Sequence, residues 1–255
     1  MTKNSSEVTL SKDELIRYNR QIVYSDWGEE GQRKVKQATV FIAGVGGLGG
    51  PVSLYLAAAG VGRLKICDDG YVEPSNLNRQ ILFNDSSLNQ EKAYVAKNTL
   101  NRVNPYIAIE YFSERITRDN IDRLVTGSEI IVDCLDNFET RYILNEYAVS
   151  KCLPFVHCGV EGFSGQITFI HPPETSCLQC IIARAPVSRE VLPIIGTTAG
   201  VLGCLEANEV LKYLTGIGSN LKNILLIWNG LEANLHRIEI GKDPDCPVCG
   251  KEKYK

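Results

Sequence analysis

The sequence predicts an α/β fold: a Rossmann-like, doubly wound, mostly parallel sheet extended by antiparallel strands, with a structural four-cysteine zinc site. Three observations carry that expectation. Residues 39–43 are a short apolar, β-branched run leading straight into Gly44, Gly46 and Gly49 at G-x-G-x-x-G spacing. Strand-like and helix-like segments then alternate, before further strand-like segments toward the C-terminus. Two C-x-x-C pairs, Cys177 with Cys180 and Cys246 with Cys249, have 65 residues between them.

The length of 255 residues suits one domain over 11–255 behind a loose tail at 1–10. A net charge of −3 without any Lys/Arg run argues against nucleic acid or an anionic membrane as partner. Residues 38–62 carry no charge and are long enough to span a bilayer. Their glycines and Pro51 parse them instead as strand, turn and helix, the pattern of a parallel strand covered on both faces. Nine cysteines, an odd number, behind a polar N-terminus point to a reducing, cytoplasmic setting rather than a disulfide framework.

Each element has its own signal. Ser11 and Glu14 have capping-box spacing, so a helix starts at Lys12 and runs on through Arg17-Tyr18-Asn19-Arg20-Gln21, by itself a solvated basic face. The glycine turn opens a helix over 48–59, with Pro51 tolerated in its first turn and Gly60 as its stop. A strand at 63–67 completes a βαβ unit. A loop at 73–80, a helix at 91–102, a strand at 108–112 and a short helix at 119–125 follow. A strand at 129–134, a helix at 140–151, and strands at 154–157 and 165–170 come next. Residues 198–215 form a helix with Leu202, Leu205, Val210, Leu211 and Leu214 as its apolar stripe, and strands at 224–228 and 235–240 close the fold.

In an open α/β sheet, ligands sit beyond the C-terminal ends of the strands. The glycine turn (Gly44, Gly46, Gly47, Gly49), Asp68 and Asp136 all follow strands and belong to one crevice. Backbone N–H groups of the turn and the helix N-terminus suit phosphate. Asp68, 24 residues after Gly44, is placed for a ribose hydroxyl, and Asp136 offers a carboxylate for Mg²⁺. Arg79 and Lys92 are cations within reach, a set better matched to a triphosphate such as ATP than to a nicotinamide dinucleotide. Four thiolates make a closed tetrahedral Zn²⁺ site, which is structural because no position is left for water.

Together, Arg17-Tyr-Asn-Arg-Gln21, Gly44-Val-Gly-Gly-Leu-Gly49, Ser75-Asn-Leu-Asn-Arg-Gln80, Asp133-Cys-Leu-Asp-Asn137, Gly165-Gln-Ile-Thr168 and the paired C-x-x-C resemble the ThiF/MoeB/HesA family, prokaryotic relatives of ubiquitin-activating enzymes. The resemblance covers roughly residues 10–250. It implies an adenylyltransferase that activates the C-terminal glycine carboxylate of a ubiquitin-like sulfur-carrier protein as an acyl-adenylate, releasing pyrophosphate. By motif, Asp68 would hold the ribose. Asn76, Arg79, Gln80 and Lys92 would surround the phosphates, Asp136 would bind Mg²⁺, and Arg17 would reach the nucleotide of a partner subunit in a homodimer. Many relatives carry a cysteine in the crossover stretch; here residues 185–198 have none. Cys204 reads as helix core and Cys158 as structural. The expectation is therefore adenylation without an enzyme thioester, the adenylate passing to a separate acceptor or sulfur donor. Only five residues follow Gly250, so no sulfurtransferase extension is expected. The competing readings are an NAD-dependent oxidoreductase, a family member acting on a peptide or tRNA-bound carboxylate, and a scaffold that binds the carrier without chemistry.

Overall fold

The computed structural model describes residues 8–186 and 192–250. Most of the tail expected at 1–10, and residues 187–191 of the crossover stretch, lie outside these described residues. In chain order the elements are α1 (Lys12–Arg17), α2 (Asn19–Ile22), α3 (Gly28–Gln37), β1 (Thr39–Ala43), α4 (Gly49–Ala59), β2 (Arg63–Cys67), α5 (Lys92–Val103), β3 (Ala108–Phe112), α6 (Ile121–Val125) and β4 (Ile130–Asp133). Then come α7 (Phe138–Lys151), β5 (Phe155–Glu161), β6 (Ser164–Ile170), α8 (Leu178–Ile181), α9 (Gly196–Thr215), β7 (Ile224–Asn229) and β8 (Asn234–Glu239).

Among the described residues, one sheet of eight strands runs in the order β3-β2-β1-β4-β5-β6-β7-β8. The first five strands are parallel and the last three are added antiparallel, as the sequence predicts. The chain leaves β1 toward β2 on one side and returns to β4 on the other. That reversal of direction opens the crevice in which open α/β sheets bind ligands.

β1 is apolar and buried from Val40 to Ala43 because both its faces are covered there. Val40 and Ile42 join the cluster containing Val52, Leu56 and Leu202 of α4 and α9. Phe41 and Ala43 join the opposite cluster with Leu124, Leu144 and Phe155. The uncharged stretch at 38–62 is therefore core, and no helix among the described residues is long and apolar enough to cross a membrane. α4 and α9 pack closely because Gly203 has no side chain: a Cβ there would lie 2.7 Å from the Leu48 carbonyl oxygen.

The N-terminal segment differs from the single helix expected. Ser11 and Glu14 do form the capping box. The helix then breaks at Tyr18, whose ring is buried and whose hydroxyl accepts from Asn104 at 2.8 Å. Asn104 also donates to the Ala57 carbonyl at 2.7 Å, while Gln32 and Gln21 donate to Ala59 at 2.8 and 3.1 Å. Carbonyls in the last turn of a helix lack intrahelical partners, so α4's C-terminal end is what docks this segment. α3 escaped the sequence reading because it is mostly polar, with its buried stripe reduced to Gly31, Gln32 and Val35. On α9, Leu202 and Val210 are buried while Leu205, Leu211 and Leu214 are half-buried. Cys204, expected in the core, is exposed instead. It sits on the face turned away from the sheet, one position out of phase with the buried Gly203.

Candidate nucleotide site and four-cysteine cluster

The glycine turn leaves the C-terminal end of β1. Gly44 has a φ of +88°, and a Cβ there would lie 2.7 Å from the Cys134 carbonyl oxygen. At Gly49 a Cβ would meet the Gly44 oxygen at 2.0 Å. No other residue fits either position without moving the backbone. No side chain caps α4. The Gly50 N–H donates to the Gly46 carbonyl at 2.9 Å and Pro51 has no N–H, so donors to a ligand would come from the glycine turn that leads into the helix, where the helix dipole favours an anion. Gln80 lies over the turn, its amide nitrogen 3.4 Å from where a Gly46 Cβ would be. Gln80 is buried, and its Oε1 has no partner among the described residues. An orphaned buried amide beside an uncapped helix N-terminus fits a polar ligand.

Asp68, Arg79 and Lys92 lie around this turn. Asp68 follows β2 and braces the turn: its Oδ2 accepts from the Val45 N–H and its Oδ1 from the Gly70 N–H, both at 2.9 Å. Each oxygen keeps a second lone pair for a ribose hydroxyl. Lys92 begins α5, and its Nζ lies against Gly70 beside the Asp68 carboxylate. Arg79 runs past Gly47, whose Cβ would lie 3.7 Å from Arg79 Cγ; its Nη1 donates to Ser75 O at 2.8 Å and Asn78 Oδ1 at 3.0 Å. Asn76 is buried and works locally, its Oδ1 accepting from the Glu73 N–H at 3.1 Å, so it shapes the loop that carries Arg79. Asp136 is exposed just beyond β4. A shallow hollow adjoins Asp68, lined also by Glu114, Leu135 and Asn137.

Arg17 does not join this group within one chain. Its Nη1 donates to the Val103 carbonyl at 3.0 Å and its guanidinium sits 5.4 Å from the Tyr106 ring centroid. Lys92 and Val103 are opposite ends of α5, a helix of 12 residues and so about 18 Å long.

Beneath the crevice lies a buried polar layer that the sequence reading missed. Asp133, the last residue of β4, is fully buried with His157 at 2.7 Å and Arg141 at 3.3 Å. Burial lowers the His157 pKa, so the ring is neutral and its Nδ1–H donates to Asp133. Glu206 of α9 is fully buried, with Cys134 Sγ 3.7 Å from its Oε2. Burial, and then the Asp133 charge, push its pKa well up, which keeps the carboxyl protonated. Burial likewise pushes the Cys134 and Cys158 thiols well up, and both are buried. Glu206 had a detectable signal: it falls between Leu202 and Val210 at four-residue steps, a charge on an apolar face.

The four sequence-predicted cysteines converge, with all sulfurs within 4.8 Å of one another. The closest pairs are Cys180–Cys249 at 3.3 Å, Cys177–Cys246 at 3.6 Å and Cys177–Cys180 at 4.0 Å. A tetrahedron with Zn–S bonds of about 2.3 Å has edges of about 3.8 Å, so the cluster fits zinc. It ties residues 246–249 to Val149 of α7 and to the start of α8.

Two outcomes follow from this geometry. Native mass spectrometry should find one zinc per wild-type chain, and Cys249→Ser should lose it and expose the C-terminal segment to protease; a metal-free wild-type chain would contradict the assignment. For Glu206, an acid whose native pKa is raised above its ordinary 4.5, the associated stability is complete below that pH and is lost as pH rises toward the native value. The melting temperature of Glu206→Gln minus that of wild type should therefore grow from pH 4.5 upward. A flat difference would show that Glu206 ionises freely in the fold.

Comparison with known proteins identifies the family. The ThiF family model matches residues 18–248. The sulfur carrier protein adenylyltransferase of Thermus thermophilus is 38% identical over 252 residues, covering 95% of this chain and 93% of that protein. Protein HesA of Leptolyngbya boryana is also 38% identical, covering 94% of this chain and 87% of its own. The crystal structure of E. coli MccB with ATP superposes with a TM-score of 0.83 at 26% identity, covering 92% of this chain and 75% of MccB. The chain belongs to the ThiF family.

Proposed function

We propose that this chain is an ATP-dependent adenylyltransferase that activates the C-terminal glycine carboxylate of a ubiquitin-like sulfur-carrier protein. The observation that carries the reading is the glycine turn at the N-terminus of α4, with Arg79 and Gln80 against the turn, Asp68 bracing it and Lys92 near Gly70. The name of the Thermus thermophilus relative, a sulfur carrier protein adenylyltransferase, favours a carrier protein over a peptide as substrate.

A carrier carboxylate oxygen attacks the α-phosphorus of ATP. The new O–P bond forms as the bond to the β-phosphate oxygen breaks, and pyrophosphate leaves with that electron pair. The nucleophile is already an anion, so no general base is needed. The barrier lies in bringing two anions together and in the charge that develops on the phosphate oxygens. Arg79, Lys92 and the N–H groups of the glycine turn stabilise that charge. Asp68 orients the ribose, and Gln80 and Asn76 hold the loop over the turn. Asp136 is the carboxylate for Mg²⁺, which would neutralise phosphate charge.

Arg17 lies too far from the crevice of its own chain to act there. A homodimer in which it meets the partner's nucleotide gives it a role. The chemistry ends at the adenylate. Cys134 and Cys158 are buried thiols, and Cys204 is eight residues, about 12 Å, along α9 from the Gly196 end that touches Arg79. The adenylate then passes to a separate acceptor.

The test is exchange of radiolabelled pyrophosphate into ATP in the presence of a carrier ending in Gly-Gly. Arg79→Ala should lose at least about 10²-fold in exchange, the scale of one preorganised electrostatic group. Undiminished exchange in that variant would remove Arg79 from the site.

A further inference from the structure

The adenylation scheme leaves one buried ionic group without a task. Arg141 lies in α7, one turn after Asn137, whose side chain caps that helix by accepting from the Thr140 N–H at 2.9 Å. Arg141 is only 5% exposed. Its Nε faces Asp133 at 3.3 Å, and its Nη2 donates to the carbonyls of Leu135 and, at 2.9 Å, Cys158. The guanidinium also lies 5.0 Å from the Phe138 ring centroid. Asp133 in turn accepts from the Leu135 N–H at 3.1 Å.

The consequence is local and specific. Both polar groups of Leu135, its N–H and its carbonyl, are held from beneath by the two halves of one ion pair. The next residue is Asp136, and after it comes the helix cap. A buried ion pair adds little net stability over an apolar pair of the same size. Its effect here is on the direction of one short loop.

We propose that Arg141 is a positioning residue of the nucleotide site: with Asp133 it fixes the Leu135 peptide and so aims the Asp136 carboxylate into the crevice. The proposal rests on the adenylation reading, in which Asp136 serves the metal-bound nucleotide. His157 completes the charge set around Asp133 as a neutral donor. Glu206 and Cys134, protonated, face the same layer from α9 and the end of β4. Arg141 and Asp133 are the ion pair of this layer.

The test is a double-mutant cycle read by calorimetry of ATP binding, with Mg²⁺ and with EDTA. Arg141→Lys keeps a positive charge beside Asp133 but cannot bridge the two carbonyls. It should weaken ATP binding in Mg²⁺ roughly tenfold, the lower end for residues that orient a metal ligand. It should leave binding in EDTA unchanged, and it should add no loss to Asp136→Ala. Equal weakening with and without Mg²⁺, or a full further loss in the Asp136→Ala background, would show general structural damage and overturn the proposal, as would unchanged binding. A wild-type chain that binds no ATP would overturn the adenylation reading first. Should Arg141→Lys fail to fold, Arg141→Met with Asp133→Asn removes both buried charges together and carries the same cycle.

Discussion

The close approach of Gly49 to the Gly44 carbonyl is the constraint on which the rest of this structure depends. A methyl group at Gly49 would sit 2.0 Å from that oxygen and 3.3 Å from the Cys134 side chain. The contact brings the start of α4 down onto the ends of β1 and β4 together. It points the N-terminal dipole of α4 into the gap where the chain changes direction across the sheet. Asp68 reinforces the same turn from the β2 side by accepting from Val45. One steric allowance thus sets the floor of the crevice, the field within it and the place of the acid beside it.

Beneath that floor the molecule keeps a layer of polar groups where a simple hydrophobic core would also pack. Asp133 and Arg141 form an ion pair, while burial lowers the pKa of His157 and raises that of Glu206. The protonated Glu206 touches Cys134, which in turn lies under Gly49. Buried groups of this kind cost stability unless their partners are well arranged. Here they attach to the loop carrying Asp136 rather than to solvent. The four-cysteine cluster works at larger scale: with zinc bound, its sulfurs would fix residues 246–249 against α7 without opening a coordination position. Zinc is worth roughly 10–16 kcal/mol in zinc-finger peptides, so a bound ion would let this end of the chain hold with little apolar core of its own.

Much of this was legible in the sequence because backbone requirements and ligand chemistry leave short, local patterns. Gly44 and Gly49 must be glycine, and Gly60 ends α4 with a φ of +90°. Ser11 caps α1, and the cysteines pair by their spacing. The parallel-then-antiparallel order followed from alternation of segments alone. The rest was hidden because it depends on contacts between distant residues. Nothing near Tyr18 shows that its hydroxyl will meet Asn104 and break a helix. α3 is too polar to announce itself, and Arg141 reads as an ordinary helix arginine until β4 and β5 place Asp133 and Cys158 around it. Cys204 was misjudged because the helical stripe fixes only which face is buried, and this residue falls one step off it.

The most direct measurement is the melting temperature of the purified chain alone, with Mg·ATP, and with NAD. At a ligand concentration 100 times its dissociation constant, binding to the native state adds about 2.7 kcal/mol. The account predicts stabilisation of that size by Mg·ATP and none by NAD. Stabilisation by NAD, or by neither ligand, would contradict it.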